Sequence, residues 1–142
     1  MITEQNTADQ SAADQHSAEL KSGVGTRYEY LQVRATVINF TNDPMIITGS
    51  NLDWGKWIQS PVDTPAMGIS TFASQGRDSS PSGTEGWATW KIGKATLRGT
   101  FSCPLIGHND QDLTCDPPGA YRVSAQGTGG NINSVVFKIL PA

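Results

Sequence analysis

The sequence predicts an all-β fold, an antiparallel β-sandwich of two packed sheets with a polar N-terminal arm. Three observations carry that expectation. Apolar residues alternate with polar ones in several short segments, the period-two signature of half-buried strands. Each segment is bounded by Gly, Pro, Asn or Asp, residues that end a ladder and favour turns. Only 16% of residues are charged and 37% hydrophobic, with 15 glycines, a composition suited to many short strands. At 142 residues the chain makes one domain that buries roughly two thirds of its unfolded surface.

Residues 1–26 form the arm. They are rich in Ala, Gln, Asp and Ser and lack alternation, and Ala8 to Leu20 offers only a weak helix behind Thr7. The sandwich domain is expected over 27–142. From Tyr28, Leu31, Val33, Ala35 and Val37 fall on one face of a strand, with Tyr30, Gln32, Arg34 and Thr36 on the other. Asn42-Asp43-Pro44 reads as a turn, and Met45 to Thr48 as the antiparallel hairpin partner of the first strand. Leu52 to Ile58 is a third strand. Pro61 and Pro65 bracket a connection without ladder pairing. Ile69 to Ala73 leads into a polar loop, from which Trp87 to Ile92 emerges. Lys94 to Cys103, Tyr121 to Gln126 and Ile132 to Leu140 complete about eight strands. Pro104 to Gly119 reads as a surface excursion. The expected core holds Leu31, Val33, Val37, Leu97, Phe101, Val123, Phe137 and Ile139.

A net charge of -3 and a pI near 5.2 argue against nucleic acid as a partner, since phosphate binding needs clustered Lys and Arg. There is no run of 18 apolar residues and no charged-then-apolar amino terminus, so neither a membrane span nor a signal peptide is visible. The expectation is a soluble protein, cytoplasmic on synthesis and then released. Cys103 and Cys115 flank a loop. A disulfide there would stabilise by about 3 kcal/mol in the chain-entropy picture, and two reduced thiols are the alternative. The bridge is the expectation taken forward. No metal or cofactor is expected, because His16 and His108 lack the paired spacing of zinc ligands.

The polar loop within the stretch from Phe72 to Gly93, between two strands, is the natural place for binding chemistry on a β scaffold. Arg77 and Asp78 precede Ser79, Ser80, Ser82 and Thr84, which puts a guanidinium beside hydroxyls between flexible glycines. A guanidinium suits a phospho-headgroup, and a pairing of Arg77 with Asp78 or Glu85 to hold the loop is the structural alternative. Trp54 and Trp57 flank Gly55-Lys56, and Trp87 and Trp90 lie three apart. Within each pair at most one indole can point inward along a strand. An exposed indole beside a cation fits a membrane interface or a sugar face. No catalytic role is expected: nothing marks a nucleophile on a strained turn, and His108 near Asp110 and Asp112 reads as a surface residue.

Four strings taken together resemble the aegerolysins: Val37-Ile38-Asn39-Phe40-Thr41-Asn42; Leu52-Asp53-Trp54-Gly55-Lys56-Trp57; Ser74-Gln75-Gly76-Arg77-Asp78 with Ser82-Gly83-Thr84-Glu85-Gly86; and Phe101-Ser102-Cys103-Pro104. The resemblance spans roughly residues 28–140. It implies a non-enzymatic small acidic β-sandwich that binds membrane lipid of a target cell, often sphingolipid. It also implies a larger partner protein, with which such chains act as binary pore-forming toxins, cytolytic or insecticidal. The lipid-binding residues it suggests are Trp54, Lys56, Trp57, Arg77, Ser82 and Glu85. Departures fall at Gln75, where the family often has cysteine, and at Ser82, where sphingolipid-binding fungal members have a carboxylate. They fall again at Leu105-Ile106, where those members have tryptophan. A homodimer is compatible with the sequence. The rival expectation is a carbohydrate-binding, lectin-like module whose tryptophans stack on sugars.

Overall fold

The computed structural model of the chain describes residues 28–78 and 81–142. The expected arm over 1–26 lies outside them. Among the described residues the only regular elements are nine strands: β1 (Gln32–Asn39), β2 (Met45–Trp54), β3 (Lys56–Gln59), β4 (Gly68–Gln75), β5 (Thr84–Ile92), β6 (Ala95–Cys103), β7 (Asp110–Asp116), β8 (Tyr121–Gln126) and β9 (Ile132–Pro141). They form two sheets, β3-β4-β1-β9-β8 and β2-β5-β6-β7, packed face to face as a sandwich. All pairings are antiparallel except β1 with β9, which run side by side in parallel.

Period-two alternation positions the core. On β6, Ala95, Leu97, Gly99, Phe101 and Cys103 are turned inward, while Thr96, Arg98 and Thr100 face out. Phe72 is the hub, with its ring centroid 5.1 Å from Phe101 and 6.4 Å from both Trp90 and Phe137. Gly99 has a packing reason: a Cβ there would lie 2.7 Å from Phe137 Cε2, so only glycine admits the ring from the opposite sheet. Seven of the eight expected core residues are buried. Val123 is the exception, half-buried on the edge strand β8.

Several expectations are corrected. β2 is not the hairpin partner of β1: β1 lies between β4 and β9, and the Asn42-Asp43-Pro44 turn carries the chain across to the other sheet. The buried Asn39 amide fixes that arch by donating to the carbonyls of Asp43 (2.8 Å) and Pro65 (3.2 Å). The segment from Leu52 to Ile58 is two strands, because Gly55 breaks it and delivers β3 to the five-stranded sheet. Between Pro61 and Pro65, Thr64 does make an isolated antiparallel bridge to Met45. The expected excursion from Pro104 to Gly119 contains β7, whose Leu113 is buried. Its acidic outward face disguises the alternation.

The expected disulfide is absent. In the β6–β7 register Cys115 stands opposite Leu97, six positions along β6 from Cys103, a separation of about 20 Å at strand rise. The buried Cys103 thiol instead lies 3.3 Å from the Asn131 carbonyl, and the Cys115 thiol donates to the Pro117 carbonyl at 3.4 Å.

One end of the sandwich is closed by Tyr121, whose hydroxyl donates to Asp43 Oδ2 at 2.6 Å. That bond, followed by burial and the Asp43 charge, pushes the phenol up to about 12. The folded protein thus keeps a proton that the unfolded chain loses near pH 10. The stabilisation is complete below about pH 10 and is lost as pH rises through about 12. Urea midpoints should therefore fall over that alkaline range, and Tyr121→Phe should flatten the fall. An unchanged slope in the variant would contradict the assignment.

Candidate lipid-binding site

The opposite end gathers the residues singled out from the sequence. β2 runs out at Trp54, paired with Glu85 at the start of β5, and the register slips at Asp53, the extra residue of a bulge. Gly55 follows with φ +97°, and a Cβ there would stand 2.5 Å from the Gln75 carbonyl oxygen. The corner between the sheets therefore requires glycine. Beneath it lie the fully buried hydroxyls of Ser74 and Thr84, 2.7 Å apart, with Thr84 Oγ1 also 3.3 Å from the Trp54 carbonyl. The corner is held from below by paired polar groups rather than by loose chain.

Around it the side chains divide by role. Trp54 is 51% exposed, a large indole at the tip of the sandwich. Lys56 starts β3 and pairs with Glu29 at 2.8 Å, and the same carboxylate oxygen accepts from Gln75 Nε2 at 3.3 Å. Arg77 Nε donates to the Gly55 carbonyl at 3.1 Å, which leans the guanidinium stem against the Trp54–Lys56 corner. Arg77 thus holds the loop through a backbone carbonyl, in keeping with the structural role that the sequence offered as the alternative for it. Glu85 is exposed on the outward face of β5, and Ser82 is half-buried in the turn before Gly83. Trp57 is different. Its ring packs edge-on against Phe72 at 6.3 Å and near Phe101 at 6.1 Å, so it supports the site from within the core.

The second tryptophan pair behaves as strand geometry requires. Trp90 is fully buried, with its indole N-H donating to the Val62 carbonyl at 3.1 Å, while Trp87 turns outward beneath Arg98. Ile106, 60% exposed, and His108 lie on the β6–β7 connection at the same end as Trp54. Sequence reasoning missed Glu29, Arg98 and Ile106. Only Ile106 carried a signal, as half of the apolar Leu105-Ile106 pair that departs from the family pattern. Beside this end the Tyr30 phenol is raised above its ordinary value, chiefly by burial and then by Tyr28 and Cys103.

No protein-family model matches the chain, and no curated protein matches it. Solved structures do. The crystal structure of RahU protein in complex with a TRIS molecule superposes with a TM-score of 0.69 at 18% identity, covering 80% of this chain and 97% of that one. IP-1A from Alcaligenes faecalis gives 0.66 at 22% identity, with coverage of 81% and 94%. The lipid binding protein Nakanori gives 0.68 at 10% identity, with coverage of 83% and 72%. The chain shares its fold with these three proteins. Identities this low speak for the fold alone, so function is argued from the site.

Proposed function

We propose that this chain is a non-enzymatic membrane-lipid-binding protein of the aegerolysin kind, acting as the small subunit of a binary pore-forming toxin, cytolytic or insecticidal. The observation that carries the reading is the half-exposed Trp54 at the tip of the sandwich, with Lys56 and Arg77 beside it. An indole at a lipid interface buries its ring among the acyl boundary while its N-H meets headgroups, and adjacent cations meet phosphate. The family resemblance implies a sphingolipid-type membrane lipid as a class and does not name the headgroup. The likeness to a structure described as a lipid binding protein supports the same class.

The pore is assigned to a larger partner. Among the described residues no helix is long and apolar enough to cross a membrane. All nine strands of the described residues are committed to the ladders of the two sheets, so none of these residues forms a spare amphipathic hairpin ready to convert into a barrel wall. The chain should therefore sediment with sphingolipid-containing vesicles and yet release no trapped dye from them. Dye release by the chain alone would contradict the division of labour.

A further inference from the structure

We propose that a groove on the outward face of the four-stranded sheet is a subsite for one neutral sugar ring, so that the preferred headgroup is that of a glycolipid. This rests on the lipid-binding role proposed above and names its headgroup class. Trp54, Glu85, Ser102 and Asp110 form one cross-strand row through successive pairings of β2, β5, β6 and β7. The groove opens from that row down the flank of the sheet, one register step from the tip indole. Its volume is about 230 Å³, below the roughly 300–1,000 Å³ of drug-sized sites, which restricts it to a small group such as a single sugar residue.

The lining is a set of complementary polar groups beside Trp87, whose ring face is taken by the Arg98 guanidinium. Asp53, re-aimed by the bulge, Glu85 and Asp110 supply carboxylate acceptors, and Thr100 and Ser102 supply hydroxyls. Ser102 Oγ already accepts from the Asp110 N-H at 3.2 Å, which leaves its own hydroxyl proton for a ligand. The six-membered part of the Trp87 ring lies over Gly49, and the Arg98 guanidinium sits 4.7 Å from the indole centroid. Vicinal sugar hydroxyls both donate and accept on neighbouring atoms, so they match carboxylates, hydroxyls and a guanidinium placed together.

Other ligand chemistries fit less well. Carboxylates outnumber the single guanidinium, so a phosphate group would meet net repulsion. A quaternary or primary ammonium would find the indole face already covered by Arg98 and would be repelled by it. Among the described residues no three His, Cys, Asp or Glu groups converge to hold a metal ion.

The test uses the full chain on phosphatidylcholine vesicles carrying glucosylceramide, galactosylceramide or sphingomyelin. At least one hexosylceramide should be bound about tenfold or more tightly than sphingomyelin, the scale of one or two charge-assisted bonds. The exposed pair Asp53→Asn and Asp110→Asn, with its melting temperature confirmed as unchanged, should erase that preference and leave sphingomyelin binding as it was. Equal binding to all three vesicles, or a preference that survives the double substitution, would overturn the sugar subsite while leaving membrane attachment standing. Capture on glucose- or galactose-bearing albumin that the double substitution abolishes, without attachment to any vesicle, would support the subsite and remove the lipid role instead.

Discussion

Replacing Phe137 by Ala should cost about 3–5 kcal/mol of folding stability, a large share of the roughly 5–15 kcal/mol available to a domain of this size. The ring is fully buried, contacts Phe72 and Trp90 at 6.4 Å between centroids, and fills the space left by Gly99 on the facing sheet. Because position 99 has no side chain that could move into the gap, the cavity should persist, which places the loss toward the upper part of that range. Urea denaturation should show a lower midpoint with an unchanged slope. A loss under about 1 kcal/mol would mean that the two sheets do not meet at this ring.

Trp54→Ala should weaken attachment to receptive vesicles by tens to hundreds of fold while changing stability by less than about 1 kcal/mol. Roughly half of the indole, on the order of 100 Å², is open to solvent and free to enter a membrane. At about 25 cal/mol per Å² that burial is worth about 2.5 kcal/mol. Arg77→Ala should act in the same direction but less strongly, since part of its bonding is spent on the Gly55 carbonyl. Sedimentation beside thermal melts separates the effects: a folded Trp54→Ala that binds fully would remove this indole from the contact.

Where alternation was clean, the sequence was enough to place a strand and its faces. Leu31, Val33, Ala35 and Val37 are buried as the period-two pattern requires, and Trp87 and Trp90 fall on opposite faces. Partner choice was not legible. Asn42-Asp43-Pro44 has the chemistry of a hairpin turn and of an arch alike, and the choice rests on the Asn39 amide, whose acceptors include a carbonyl 26 positions away. β7 was hidden because only Leu113 is buried among its inward residues, while Asp110, Asp112 and Asp116 gave it the look of a solvated loop.

The site shows the same division. Trp54, Lys56 and Arg77 could be read as candidates from residue type, but their meeting at one corner depends on the positive φ of Gly55 and the switch of sheet that it permits. Trp57 looked equivalent to Trp54 in sequence. The break between β2 and β3 is what sends one indole to solvent and the other against Phe72. The sugar-sized groove draws on β2, β5, β6 and β7, so Arg98 and Asp110 carried no local sign of belonging to it.

The central claim is that the Trp54 end of the sandwich is the face that meets the membrane, and the most direct measurement of it is indole quenching by brominated lipids. Vesicles of sphingolipid with bromine placed just below the headgroups should quench and blue-shift a component of the emission. That component should be missing when Trp54 is replaced by Phe, because Trp57 and Trp90 are held in the core and Trp87 lies on the sheet flank beneath Arg98. Bound protein whose quenching is the same with and without Trp54 would show that another face of the molecule makes the contact.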